Sequence, residues 1–307
     1  MSHTVLWRTC AAALAVSTAA ALTSCGSSSS SSATGGTSDS ASQPWSKLKV
    51  DPKIKAEFPE KVQQAGSLNV AADASYAPDE FFGTDNKTII GMGADLAHAL
   101  SAITGIDFNM TNSTFDAIIP GIQAGRFDAA ISSMTDLKER EAKVDFVDYF
   151  NAGTIFMVNS SGDLDISKLD QLCGLTVATE RGTTEQIDAT NQSKACTDAG
   201  KKAVNVLTFP DQNEVNLALS TGRADVVTAD SPVGAYQVQL SKGKFKVTGE
   251  YGIAPYGIAL PKNSGMVQPL ESALTALIAD GVYGKILDKW SLQKGAIQAP
   301  ALNGAVS

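Results

Sequence analysis

Two periods alternate along most of this chain. Residues 67–72, Ser-Leu-Asn-Val-Ala-Ala, are a short apolar run that predicts a first strand. From residue 93 to 104 the period lengthens. Leu96, Leu100 and Ile103 fall on one helical face, and Gly105 stops the helix. A strand at 106–110 follows, then a helix over 115–124 with Ile118, Ile119 and Ile122 inward and Gly125 at its end, then a buried strand at 128–131. Strand, helix, strand, helix, strand means βαβ units and a largely parallel sheet. A second series starts at 175–178. It continues with a helix after Thr183-Thr184, a strand at 204–209, a helix at 213–220, a strand at 225–228 and a helix at 232–240. A strand at 256–260 and helices at 266–280 and 283–290 close the pattern, and the tail past Leu292 is expected to be loose.

Two stretches do not fit a βα repeat. Residues 144–158 form an aromatic-rich extended run too long for one strand of a compact sheet, and Asn151-Ala-Gly153 interrupts it. Residues 252–256 look like a second crossing. Two series with two crossings place the second lobe as an insertion in the first.

The chemistry concentrates in residues 126–146. A short strand runs out into Ser132, Ser133 and Thr135, and a charged turn follows that carries Arg140. Open α/β sheets bind ligands beyond the carboxyl ends of their strands. Hydroxyls beside a planar guanidinium there make a receiver for a small carboxylate. From this window alone, a surface turn in which Arg140 pairs with Glu139 or Glu141 is an equal reading.

Composition narrows the setting. The 307 residues, 43% of them hydrophobic, suffice for one or two domains with a sizeable core. The net charge of −8 and the lack of a basic patch argue against nucleic acid. The only histidines are His3 and His98, and no Cys-x-x-Cys occurs, so no metal site is expected. Arg8 followed by a small-residue apolar stretch to Leu22 reads as a signal peptide, residues 1–24. It ends in Leu22-Thr-Ser-Cys25, which resembles a bacterial lipobox whose Cys25 takes the lipid. A Ser/Gly-rich tether and a lead-in, residues 25–65, follow. Cys10 leaves with the signal, so Cys173 and Cys196 remain in an exported, oxidising setting, where a disulfide is expected.

An ordered set of motifs resembles a known family. It comprises Asp73-Ala-Ser-Tyr76-Ala-Pro78, Gly91-Met-Gly-Ala-Asp-Leu96, Phe115-Asp-Ala-Ile-Ile-Pro-Gly121, Ser132-Ser-Met-Thr135 through Arg140, Arg181-Gly-Thr-Thr184, Ala229-Asp-Ser-Pro232 and Tyr256-Gly-Ile-Ala-Leu-Pro-Lys262. Together they look like the amino-acid-binding proteins of ABC importers, solute-binding protein family 3, over residues 66–292. The resemblance implies an α/β, two-lobed periplasmic-binding-protein-like fold (type II), two βα lobes joined by a two-segment hinge. Lobe 1 would comprise 66–150 plus 257–292 and lobe 2 residues 154–251. The hinge would lie at 151–153 and 252–256, with a tail at 293–307.

The same resemblance implies the ligand set. Arg140 matches the arginine that holds an α-carboxylate, aided by Ser133, Thr135 and the Gly182, Thr183, Thr184 helix start. Asp230 matches the acid for the α-ammonium, although it can also be read as a helix cap before Pro232. Tyr76 and Phe115 match side-chain walls, or else core aromatics. Asp73 lies near the side-chain subsite, and Glu180 either faces it or pairs with Arg181. Two acids and two aromatics suit a polar or cationic L-amino acid. The implied partners are an ABC permease with its ATPase and, through the N-terminal lipid, the membrane. A lipid-anchored extracytoplasmic monomer without a cofactor is expected. Pro78-Asp79-Glu80 departs from the family's commoner Pro-Phe-Glu. An enzyme on the same fold, such as a dehydratase or lyase, and a ligand-sensing ectodomain are the alternatives.

Overall fold

The computed structural model describes residues 43–306. The expected signal peptide, Cys25 and most of the tether lie outside the described residues. Among the described residues, no helix is long and apolar enough to cross a membrane.

The lead-in is more ordered than its three prolines suggest. Asp51 caps α1 (Pro52–Glu57) by accepting from the Lys53 and Ile54 N–H groups, and α2 (Glu60–Ala65) follows. Ile54 and Phe58 are buried in the same core as Leu68, Leu96 and Leu274. Trp45 stacks on His98 with ring centroids 5.3 Å apart.

In the first lobe come β1 (Ser67–Ala72), β2 (Ser75–Tyr76), β3 (Glu80–Phe82), β4 (Ile89–Ile90), α3 (Met92–Thr104) and β5 (Asp107–Asn112). A short 3₁₀ turn at Phe115–Ala117 then runs into α4 (Ile118–Gln123), followed by β6 (Ala129–Ala130), α5 (Lys138–Glu141) and β7 (Val144–Asn159). The second lobe carries β8 (Thr176–Glu180), α6 (Thr184–Asp198), β9 (Asn205–Phe209), α7 (Gln212–Ser220), β10 (Val226–Asp230) and α8 (Ser231–Leu240). The chain returns through β11 (Phe245–Pro261) and ends with α9 (Val267–Ala279) and α10 (Val282–Trp290).

One eight-stranded sheet, in the order β5-β1-β6-β11-β7-β10-β8-β9, runs through the molecule, and β2-β3-β4 form a small separate sheet. Its outer members pair in parallel, β1 with β5 and β6, and β8 with β9 and β10. This is the α/β pattern expected from the two βα series. The centre differs from expectation. β7 is a single strand of 16 residues, and Asn151-Ala-Gly153 does not break it. Ala152 pairs with Ala254 and Asn151 with Pro255, so β11 holds the stretch in register. The irregularity falls on β11 instead, as a register shift between Tyr251 and Ala254. There Gly252 takes φ +64°, a conformation that suits glycine, and Ile253 is 68% exposed.

The tail is not loose. The Asp148 N–H donates to the Ala301 carbonyl, and Asn303 exchanges three hydrogen bonds with Phe146 and Asp145. Residues 301–305 thus form a strap along the first half of β7. In the second lobe Cys173 and Cys196 form the expected disulfide, closing a separation of 23 residues. The bond ties the segment before β8 to the last turn of α6.

Candidate functional site

The site is assembled from loops that leave the carboxyl ends of β1, β6, β8 and β10. The β1 loop is pinned first. Ser132 Oγ accepts from the Asp73 N–H at 2.8 Å. Asp73 then accepts from Ser75 N–H and Oγ through one oxygen and from the Phe115 N–H at 2.9 Å through the other. Asp73 therefore fixes the placement of Tyr76 and Phe115. It does not itself line the cavity between the lobes.

That cavity is bounded by Tyr76, Phe115, Ser133, Thr135, Arg140, Thr183, Thr184, Glu185 and Asp230. Eight of these are residues singled out from the sequence. Gly182 sits just outside, lining an adjoining cleft with Arg140 and Phe115.

Arg140 projects from the short α5 and is only 6% exposed. Its two terminal nitrogens donate to the Thr135 carbonyl at 2.7 Å and, across the cleft, to the Gly182 carbonyl at 3.0 Å. The guanidinium lies over the Phe115 ring, 5.3 Å from its centroid. The surface-turn alternative is not realised, because Glu139 pairs with Lys143 and Glu141 with Lys138. Among the described residues no carboxylate lies within 4 Å of Arg140. Burial pulls its pKa down, while Glu185 and Asp230 oppose that pull.

Asp230 answers it from the second lobe. It occupies the position before α8, but its side chain makes no capping hydrogen bond. The carboxylate turns inward instead and accepts from the Tyr76 hydroxyl at 2.7 Å. Burial, with the field of Glu185 added, raises its pKa well above the usual carboxylate range. Tyr76 is 6% exposed and belongs at once to the second lobe's apolar cluster and to this polar contact.

At the helix start both hydroxyls are engaged within the second lobe. Thr183 Oγ1 caps α6 by accepting from the Gln186 N–H and donates to the Glu180 carbonyl. Thr184 Oγ1 donates to Glu185. Glu185 was not anticipated. It is 2% exposed, lines the cavity, and accepts from Thr154 Oγ1 at 2.8 Å. An acid in a first helical turn is so ordinary that nothing in the sequence marks it as buried.

Glu180 is 1% exposed, and neither of its oxygens accepts a hydrogen bond. It faces Asp73 across the lobes. Burial first, then that neighbour, pushes its pKa up to about 10. Arg181 does not pair with it and reaches Asp116 instead, at 3.6 Å. With Gln212 N–H donating to Ser75 Oγ at 3.0 Å, these contacts bring the lobes into direct apposition.

Comparison with known proteins agrees with this architecture. The profile of the bacterial extracellular solute-binding proteins, family 3, matches residues 68–293. The arginine-binding protein ArgT of Corynebacterium glutamicum is 33% identical over 263 residues, covering 84% of this chain and 86% of its own length. The ABC transporter arginine-binding protein 1 of Escherichia coli is 31% identical, covering 77% and 96%. The structure of an ancestral arginine-binding protein bound to arginine superposes with a TM-score of 0.67 at 34% identity, covering 73% of this chain and 98% of the other.

Proposed function

The chain belongs to family 3 of the bacterial extracellular solute-binding proteins, and we propose that it captures L-arginine, or a closely similar cationic amino acid, for an ABC importer. The observation that carries this is the opposition of Arg140 and Asp230. A buried guanidinium with no carboxylate partner on one lobe faces a buried carboxylate on the other. An α-amino acid supplies both complements at once. Its carboxylate meets the Arg140 fork and its ammonium meets Asp230. The side chain runs between Tyr76 and Phe115, where a guanidinium meets Glu185 on the cavity wall and the field of the buried acids Asp73 and Glu180 behind it. Two relatives are named for arginine binding, which supports this choice of side chain.

Closure follows from the same opposition. Without ligand, bringing the lobes together buries charges that are not paired, which is costly. The ligand removes that cost and biases the equilibrium toward the closed form. Hinge closure around a ligand is the general behaviour of periplasmic binding proteins. The bend falls at 151–153 and 252–256, between a lobe of 66–150 plus 257–292 and a lobe of 154–251. The closed form is what the permease and its ATPase receive. The chain acts as a monomeric binder, without catalysis. Lipidation of Cys25 holds it at the outer face of the membrane, and Cys25→Ser should release it in soluble form.

Isothermal titration against a panel of L-amino acids tests the reading. Tight binding of arginine, with lysine or ornithine weaker, is the expected result. Tight binding restricted to acidic or aliphatic amino acids overturns the arginine reading.

A further inference from the structure

Behind the cavity lies a second acidic pair that the binding scheme above does not use. Asp79 and Glu80 follow the turn at Pro78 and are both 0% exposed. Space for them is built in. A Cβ at Gly93 would overlap the Glu80 carboxyl, and one at Gly91 would overlap the Asp79 carbonyl. The two acids meet at one hydroxyl, with Ser133 Oγ 3.0 Å from Asp79 Oδ2 and 3.1 Å from Glu80 Oε2. A serine carries one proton and cannot donate to both at once. The remaining oxygens, Asp79 Oδ1 and Glu80 Oε1, have no hydrogen-bond partner. Ser133 holds φ +47°, an uncommon backbone state for a residue that is not glycine, and lines the ligand cavity.

From α3 the pair meets the backbone around Gly91 and Gly93, and the titratable groups that face it are hydroxyls and other acids. Tyr149 approaches from β7 and Tyr256 from β11, Asp230 acts from the end of β10, and Asp73 from the β1 loop. Among the described residues no ion pair reaches either acid. Two buried carboxylates in contact cannot both stay ionised, so they titrate as a pair. Burial carries Asp79 to about 7, and burial, with the Asp79 charge added, raises Glu80 well above the usual carboxylate range.

We propose that Asp79 and Glu80, lying beneath the ammonium subsite and sharing Ser133, take up a second proton near neutral pH, and that an incoming α-ammonium expels that second proton to solvent and leaves the pair sharing one, so that ligand capture is a cation-for-proton exchange. Asp79 is then a positioning residue that acts through Ser133 and through its field on Asp230. The inference rests on the amino-acid reading above.

The test is calorimetric titration of the protein with L-arginine in phosphate and in imidazole buffer, which differ in ionisation enthalpy and so separate proton release from binding enthalpy. The wild type should release about half a proton at pH 7 and close to one at pH 6, as follows for a group near 7. Its affinity should rise about 25-fold from pH 5.5 to pH 7.5, by single-proton linkage to that group. Asp79→Asn should lower proton release by that amount and leave affinity within about threefold across the same range. Glu180 contributes equally in both proteins, and any change at Asp230 is itself the lost Asp79 field, so the difference reports Asp79 and what acts through it. Should thermal melting show that Asp79→Asn does not fold, Asp79→Ser decides: it too leaves no carboxyl near 7, and proton release at pH 7 should fall by the same half proton. Equal proton release in wild type and variants overturns the proposal and leaves the ligand assignment standing. Failure of the wild type to bind L-arginine at any pH sinks the ligand assignment instead.

Discussion

Replacing Arg140 with Met is the sharpest test of the clamp, because two large effects oppose each other in the free protein and only one survives in binding. Without ligand, the substitution removes two hydrogen bonds from a charged donor, to the Thr135 and Gly182 carbonyls. Bonds of that kind contribute roughly 1.5–3 kcal/mol each. It also removes a buried cation that has no carboxylate within 4 Å, and exchanging buried charge for apolar volume is often neutral or stabilising by about 1–4 kcal/mol. The two nearly cancel, so the ligand-free melting temperature should move by only a few degrees. In the complex nothing cancels. A ligand carboxylate is left buried without its fork, at a cost of about 2–5 kcal/mol, or roughly 30- to several thousandfold in Kd. Differential scanning fluorimetry reads both quantities. At ligand a thousandfold above the wild-type Kd, binding stabilises the wild type by about 4.1 kcal/mol. A variant weakened a hundredfold keeps only about 1.4 kcal/mol at the same concentration. Arg140→Lys, with charge but no fork, should fall between the two. An Arg140→Met protein that folds and binds arginine within about threefold of wild type refutes the clamp.

Other consequences are as direct. Exchanging Cys173 and Cys196 for serine opens a closed segment of 23 residues of separation, and should cost about 3 kcal/mol, seen as a lower denaturation midpoint. Asp79, Asp136 and Asp148 stand at about 7, 6 and 7, raised above the ordinary carboxylate value by burial. Raised acids bind more protons folded than unfolded, so ligand-free stability should fall as pH rises from about 4 through 7. A drop on the order of 5 °C between pH 5 and pH 8 is expected in melts. Truncation at residue 299 removes the strap over Asp148 and should both lower the midpoint and flatten that pH dependence; an unchanged pH profile assigns the effect elsewhere.

Much of this was legible from residue patterns. The βα series, its helix stops at Gly105 and Gly125, and the hydroxyls and Arg140 beyond β6 all follow from period and position. The ligand roles proposed for Asp230 and Tyr76 did not come from periodicity. They came from resemblance, and the structure favours the inward reading of Asp230 because its side chain makes no capping bond and turns to Tyr76. What stayed hidden shares one cause: partners distant in sequence. Gly153 reads as a break until β11 is laid beside it. Asp79-Glu80 after a proline reads as a surface turn, since burial there depends on α3, β7 and β11 together. The small residues after Leu292 read as loose, because the edge of β7 that Asn303 grips lies more than 150 positions away.

The aromatic side of the cleft has a practical consequence. Phe81 lies 6.2 Å from Tyr236 of the second lobe and 5.8 Å, edge-on, from Trp290 of the first. Lys289 spans Trp290 and Trp45. Of the three tryptophans in the sequence, Trp7 falls in the expected signal peptide, so both that remain in the mature chain report from this one surface. When the lobes part, Tyr236 withdraws from Phe81, and water reaches the Phe81 ring that packs edge-on against the indole of Trp290. The chain thereby carries its own optical gauge. Tryptophan emission should shift to the blue and gain intensity as ligand closes the cleft, with no label attached.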